Sequence, residues 1–404
     1  MDFIDFLREM LGITKDYGII KIEKIEHPEK IIRIYLSYTS SVYKSGTSTY
    51  PLYDLAQERE WQHLSWFEYK CYLVCRLPRY VDKDKKVKTV VPDFASPGKS
   101  YTHLFSHVAI QYLQKVRVQK TVAELMQTSP YIIRSIMEHA VEAALETRGF
   151  VTNLEQISID EKAYAKGHEY ATIVIDSKRE YVVDMQEGRK EKSLKSLLYT
   201  ITGEETQPQL RRVNIDMWQP YMKVIEELAP RALVVHDKFH LIKKLSEAID
   251  KTRRKEISES GLLKRQKYTV LKNADNWTKE QKSCFEQIER ANLKTAQAWH
   301  VRENFKLLFQ WRCTQQAEYL LKEWMQQSRE KGIFHVNRVI ATFEAHLNGI
   351  INAITTKTDS SMHENMNGKI QSVIAKAKGF INFERFRINI LFYFGNLQLL
   401  PQKI

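Results

Sequence analysis

Residues 213–240 read VNIDMWQPYMKVIEELAPRALVVHDKFH. Two short apolar runs, closing RRVNID (211–216) and ALVVHD (232–237), each end in an aspartate, Asp216 and Asp237. Their length and β-branched content are those of buried strands. Between them MWQPYMKVIEEL repeats its apolar residues at helical spacing. The stretch therefore predicts strand, helix, strand, with a carboxylate delivered at the end of each strand. Asp237 and His240, three apart, form the most conspicuous acid-and-histidine pair in the chain.

Moving upstream, KSLKSLLYTI predicts another helix, preceded by three strands: EYVVDM (180–185), ATIVID (171–176) and ISID (157–160). The order strand, strand, strand, helix, strand, helix, strand is that of the ribonuclease H-like fold. Three antiparallel strands come first, then two reached through helical crossovers. In that fold the first strand is central. Asp160 closes it, and a carboxylate is costly at a buried strand position without a cation; a strand-end cap or salt bridge is the plainer alternative. Asp216 closes the fourth strand, beside the first, so the two can share a metal. Its alternative is an N-cap for the helix starting near Met217. Asp237 competes with Asp216 for this role; it closes the fifth strand, one further out, and is therefore expected in the wall of the site, with His240 orienting a phosphate or a metal-bound water. A buried, satisfied histidine is the alternative there.

Downstream, residues 241–352 read as nearly all helix, as in Thr278-Lys-Glu-Gln281 and the spacing of Trp299, Phe305, Leu308 and Trp311. Residues 238–272 hold 11 Lys/Arg against 4 Asp/Glu, a stripe that suits DNA or a solvated helix face. The last carboxylate should come from SSMHENMNGKIQSVIAKAKGFINFERFRINIL. There Glu364, Asn367 and Lys369 begin a helix that Gly379 ends, with Glu364 and Asn367 on one face. Glu384, beside Arg385 and Arg387, reads as a surface ion pair. Two metal ions roughly 4 Å apart need carboxylates from several elements, and hard oxygen donors favour Mg²⁺, with Mn²⁺ as a substitute.

The 404 residues are too many for one ordinary domain. A net charge of +13 points to a polyanion, most simply nucleic acid. No run approaches the ~18 apolar residues of a membrane span, and MDFIDFLREM is too acidic for a secretory signal. Residues 1–12 predict a short amphipathic helix, and the region from Gly18 to about Val91 is β-like. Cys71 and Cys75 sit in an apolar, aromatic run as packing residues; with four cysteines and no disulfide framework, a reducing cytoplasm is expected. In KTVAELMQTSPYIIRSIMEHAVEAALE, helices over Thr121–Met126 and Tyr131–Glu146 flank a break at Thr128-Ser-Pro130. This is the helix-turn-helix pattern, or an ordinary helical hairpin.

The chain resembles the ISL-three family of bacterial insertion-sequence transposases. The matching pieces are ISIDEKAYAKGHEYATIVID, VNIDMWQPYMKVIEELAPRALVVHDKFHLIKKLSEAIDKTRR, LKNADNWTKEQK and HENMNGKIQSVIAKAKGFINFERFRINIL, across about residues 50–395. The resemblance implies a DDE active site that cleaves at transposon ends and joins the 3′-hydroxyls to target DNA. It places Asp160 on the first aspartate, Glu364 on the glutamate, and Asp237 and His240 on a D-x-x-H motif. Related superfamilies carry a similar motif beside the triad, which supports Asp216 as the middle ligand. It also implies a helix-turn-helix at 120–146. Many relatives begin with a zinc module; here EREWQHL and RLPRY recur around 38–84 without the ligands, so no zinc is expected.

The expectation is thus a multidomain α+β protein: an N-terminal β-rich DNA-binding module at 1–100, a helix-turn-helix at 101–150, and a ribonuclease H-like catalytic domain at 151–404 interrupted by an all-helical insertion at about 241–352. Asp160, Asp216 and Glu364 would hold two Mg²⁺, with Asp237, His240 and Asn367 beside them. Lys120, Arg134, Lys243, Lys244, Arg253, Arg254, Lys376 and Lys378 would contact double-stranded DNA, the terminal inverted repeats and the target. A dimer or larger assembly on DNA, nucleoid-associated and without membrane contact, is expected. The rival readings are a domesticated, non-catalytic regulator and a structure-specific nuclease.

Overall fold

A computed structural model describes residues 3–45, 47–167, 169–203, 209–311, 313–356 and 360–400, with the backbone alone at 45 and 360–364. The chain forms a mixed α+β structure with two separate sheets. It divides into two compact units: the chain up to Arg148 together with the segment from Leu397, and Gly149–Asn396.

The first unit opens with α1 (Phe3–Leu11), β1 (Tyr17–Ile25), β2 (Ile31–Tyr38), β3 (Val42–Ser45), β4 (Ser48–Trp66), β5 (Tyr69–Val81) and β6 (Val87–Thr89). The strands pair in the order β1-β2-β5-β4-β3, with β6 on β5. Trp61, Tyr17, Phe94 and Leu73 form its core. Cys71 and Cys75 are buried among them, and burial pushes both thiols up to about 12, so they pack as neutral side chains. Next come α2 (His103–Val116), α3 (Gln119–Leu125) and α4 (Pro130–Arg148). Thr102 caps α2 by accepting from the Phe105 amide. The turn between α3 and α4 is pinned to β4, where Thr128 Oγ1 donates to Gln62 Oε1 at 2.7 Å.

The second unit begins with β7 (Gln156–Ala165), β8 (Glu169–Asp176), β9 (Tyr181–Glu187), α5 (Glu191–Thr202), β10 (Arg212–Ile215), α6 (Gln219–Leu228) and β11 (Leu233–His236). Sheet order is β11-β10-β7-β8-β9, with β7 central. The pairs β7/β8 and β8/β9 are antiparallel; β7/β10 and β10/β11 are parallel. Ile157, Ile159, Val213 and Ile215 bury one side of this sheet against Leu194, Leu198, Val224 and Ile225 of α5 and α6.

Among the described residues seven α-helices follow: α7 (Lys238–Glu256), α8 (Lys267–Leu271), α9 (Lys279–Arg290), α10 (Lys294–Leu307), α11 (Thr314–Glu330), α12 (Phe334–Ala345) and α13 (Leu347–Thr355). The Thr278–Gln281 spacing proves to be a complete capping box opening α9. Trp299, Phe305 and Leu308 enter one core with Trp324 and Phe343, whereas Trp311 lies beyond α10 and is exposed. Glu256, at the end of α7, accepts from the Lys294 and Thr295 amides at 2.7 and 2.8 Å, placing an anion on the α10 N-terminus. The block is fastened to the sheet edge through α13. Asn352 Nδ2 donates to the Val234 carbonyl at 2.7 Å. Gly349 faces the His236 ring so closely that a Cβ would lie 2.5 Å from Cδ2.

The chain ends its second unit with α14 (Ser360–Ala377) and α15 (Phe383–Phe394). Their connection is docked on β7. Gly379 sits at φ +92° against the Tyr164 carbonyl, and the Phe380 amide donates to that oxygen at 2.9 Å. Asn382 caps α15 by accepting from the Arg385 amide, and Phe386 stacks on Tyr164 at 5.5 Å. Arg387 donates twice to the buried Asp184 of β9, at 2.8 and 2.9 Å. Glu384 is the exposed ion-pair residue that its basic neighbours suggested, 3.3 Å from Arg387. The main partner of Arg387, however, is Asp184.

Candidate active site

Strand register builds the site. Ile159 of β7 pairs with Ile215 of β10, and Ile215 pairs with His236 of β11. The residue after each of these is an aspartate: Asp160, which lies within β7 rather than closing it, and Asp216 and Asp237, just past the ends of β10 and β11. Adjacent strands lie about 4.8 Å apart, so the three acids line up in steps along one sheet end. Asp160 and Asp216 are one step apart, Asp160 and Asp237 two. All three, with His240 and Asn367, line one cavity of about 640 Å³.

The three carboxylates are employed differently. Asp160 Oδ1 accepts from the Glu161 amide at 2.7 Å. Its Oδ2 is buried and accepts no hydrogen bond from the described residues, although Lys162 Nζ stands 2.7 Å away as an ion-pair partner. Asp216 Oδ1 accepts from the Met217 amide at 2.7 Å, and Oδ2 lies 3.5 Å from His240 Nδ1. The helix after Asp216 starts only at Gln219 and has Trp218 at its cap position, so Asp216 does not cap it. Asp237 is the capping residue: its Oδ1 accepts from the Phe239 amide at 2.8 Å and opens α7.

Electrostatics separate the residues further. Burial pushes the Asp216 carboxyl up, but the imidazole of His240, the Met217 amide and Lys244 outweigh it and hold the group down at about 2. Burial pulls His240 down, and Asp216, helped by Asp160 and Asp237, more than reverses this, so its pKa is raised. The stability contributed by His240 is then fully present below its ordinary value of about 6.5 and is lost as pH rises through the raised value. That from Asp216 is present above about 3.9 and is lost as pH falls toward the folded value. We therefore expect the urea-stability gap between the wild type and His240→Asn to be widest between about pH 4 and 6.5 and to narrow at alkaline pH. A gap that does not vary with pH would refute the ion pair.

Some contributors carry no sequence signal strong enough to single them out. Glu161 lines the cavity, and burial together with Asp160 and Asp216 raises its pKa against the opposing pull of Arg189. Lys162 and Arg189 add positive charge to the same wall. Glu161 and Lys162 directly follow Asp160 on the central strand. Arg189 comes from the turn after β9, and only the fold brings it in.

The remaining predicted residues are distributed unevenly. Glu364 is on α14, but its side chain lies outside the described residues; the backbone puts it one helical turn before Asn367, whose buried Oδ1 has no hydrogen-bond partner among the described residues. Lys243 and Lys244 line the cavity. Arg253, expected on the basic stripe, is buried instead and donates from Nε and Nη2 to Asp250 at 3.0 and 2.8 Å. Helical periodicity turns it inward, so it presents no guanidinium to a ligand. Arg254 is exposed and paired with Asp250 at 2.6 Å. Lys376 and Lys378 are exposed. In the first unit Lys120 is exposed, 3.9 Å from Glu124, and Arg134 lies 3.5 Å from Glu138 and over the Tyr131 ring. Among the described residues no group of three His, Cys, Asp or Glu side chains is assembled to hold a metal ion. Nor is any helix of the described residues long and apolar enough to cross a membrane.

A family profile described as a transposase matches residues 157–390. The chain is 24% identical over 398 residues to the transposase for insertion sequence element IS1001 of Bordetella parapertussis, covering 95% of this chain and 97% of that protein. It is 21% identical over 350 residues to the transposase for insertion sequence element IS1557 in two strains of Mycobacterium tuberculosis, covering 80% of this chain and 78% of those proteins.

Proposed function

We infer, for a chain that belongs to the ISL-three family of DDE transposases, that it binds the terminal inverted repeats of an insertion sequence, cleaves DNA at the element ends and joins the 3′-hydroxyls to target DNA. The observation that carries this reading is the alignment of Asp160 and Asp216 on adjacent parallel strands at one cavity. α14 brings Asn367 to the same cavity, one turn after Glu364. The sheet order, with the acid-bearing strand central, supports a ribonuclease H-like catalytic domain from about residue 151, interrupted by the helices of 241–352.

DDE transposases generally use a divalent metal. The donor set fits one: two carboxylates one strand apart are hard oxygen donors, and the buried Oδ2 of Asp160, ion-paired with Lys162 at 2.7 Å, takes no hydrogen bond among the described residues. Asp160, Asp216 and Glu364 would hold Mg²⁺ or Mn²⁺, which supplies positive charge against the charge developing on the attacking and leaving oxygens. The chain's own residues do the rest. Asp216 is kept anionic by His240. Arg189, Lys243 and Lys244 present cations to the DNA backbone at the cavity. Holding the scissile phosphate in line with the attacking oxygen is the main contribution such a site makes. In cleavage, water forms the new P–O bond and the 3′-oxygen leaves. In joining, that freed 3′-hydroxyl attacks a target phosphate and displaces the target strand's 3′-oxygen.

End recognition is assigned to residues 1–150: the metal-free β module, and α3–α4 acting as a helix-turn-helix with Lys120 and Arg134 on the phosphates. Two ends must be held together for joining, which calls for a dimer or larger assembly on DNA.

Purified full-length protein incubated with Mg²⁺, DNA bearing the element's ends and a target plasmid should yield ends covalently joined to the plasmid. Hydrolytic nicks without joining would favour a structure-specific nuclease. Binding without cleavage would favour a regulator.

A further inference from the structure

The cavity exposes aromatic surface that phosphoryl chemistry does not use. Trp218, two residues past Asp216, lines it and is 41% exposed; Phe239, next to His240, lines it and is 50% exposed. The indole is held by its polar edge, since Nε1 donates to the Arg189 carbonyl at 3.3 Å. Arg189 in turn places its guanidinium 4.3 Å from the centre of the Tyr170 ring. Lys243 and Lys244 stand in the same wall. Two large rings left open to water forgo the gain that burial would bring, and both flank the aligned aspartates.

Rings interleaved with cations suit one ligand chemistry. A nucleotide that has left its stack offers a flat face to the rings and a phosphate to the lysines. A base pair within a duplex keeps its faces covered by its neighbours and presents only edges. An acidic peptide would use the cations but leave the rings unoccupied.

We propose that Trp218 and Phe239 form a stacking platform for an unpaired nucleobase adjoining the phosphodiester held at Asp160 and Asp216. The platform rests on the reading of this cavity as the phosphoryl-transfer site. It gives a role to the tryptophan of Asp216-Met-Trp218, which cleavage itself leaves unused.

The test is fluorescence anisotropy of the full-length protein in metal-free buffer, with a labelled oligothymidylate of roughly twelve nucleotides and a duplex of equal length. Trp218→Ala should weaken oligothymidylate binding about tenfold, the scale of one lost base–ring stack, and leave duplex binding unchanged. Trp218→Phe keeps a ring and should retain most of the affinity. Phe239→Ala, at a half-exposed position, should move oligothymidylate binding in the same direction. Unchanged oligothymidylate affinity in both alanine variants, or equal losses on both DNAs, would overturn the platform. This assay requires neither a metal ion nor cleavage. Absence of cleavage by the wild type would therefore count against the transposase chemistry alone, and the binding contrast would still decide the platform.

Discussion

Asp160→Asn is expected to lower end cleavage by at least about a thousandfold, at the upper end of what removing one preorganised charge-stabilising group costs, while DNA binding is retained. The substitution keeps the shape of the side chain and removes its charge. It should therefore keep the Glu161 amide contact at 2.7 Å and lose the anion whose Oδ2 carries no hydrogen bond. Asp216→Asn should fall comparably, because it removes the charge one strand away and also releases His240 from its ion pair. Asp237→Asn is the discriminating control. Asparagine caps a helix as well as aspartate does, so α7 should stay closed and cleavage should drop by only about 10–100-fold, the cost of losing an outer partner. The measurement is single-turnover cleavage of a labelled end with Mg²⁺, alongside binding of the same DNA. An inactive Asp237→Asn beside an active Asp216→Asn would make Asp237 the middle carboxylate.

Much of this site is legible along the chain because strands buried on both faces are written as apolar runs, and the aspartates stop them. Counting those runs puts Asp216 one strand nearer to Asp160 than Asp237, an expectation that the Asp237→Asn control tests. What the runs leave open is which aspartate caps a helix, since either could. That depends on where the next helix begins, at Gln219 in one case and Lys238 in the other, a choice made by packing. Arg253 shows a different limit. Counting charges over 238–272 puts it on a basic stripe, whereas the spacing Leu245, Ile249, Arg253, Glu256 puts it on the buried face of α7. The periodicity was there to be read, but charge density obscured it. Arg189 joins the cavity only through the fold. Asp184 and Arg387 lie 203 positions apart, and no local pattern pairs them.

That last pair makes the larger structural prediction. Arg387→Ala should destabilise the second unit by about 3–5 kcal/mol, the cost of stripping the partner from a buried charge. The Asp184 side chain is 4% exposed, and two of its hydrogen bonds come from this one guanidinium. Burial alone would pull Arg387 down; the Asp184 carboxylate reverses this and raises it. The same helix carries Phe386 onto Tyr164, and the preceding turn ties Gly379 and Phe380 to the Tyr164 carbonyl. Loosening α15 therefore loosens the anchor of α14, the helix that bears Glu364 and Asn367, and cleavage should fall together with stability. Replacing both charges, Asp184→Leu with Arg387→Met, removes the unpaired anion and should recover most of the stability, as apolar substitutes for buried ion pairs often do. Urea denaturation of the three proteins reads the effect directly. If Arg387→Ala were as stable as the wild type but bound DNA less tightly, the arginine would be a surface contact and the docking role assigned to this stretch would be wrong.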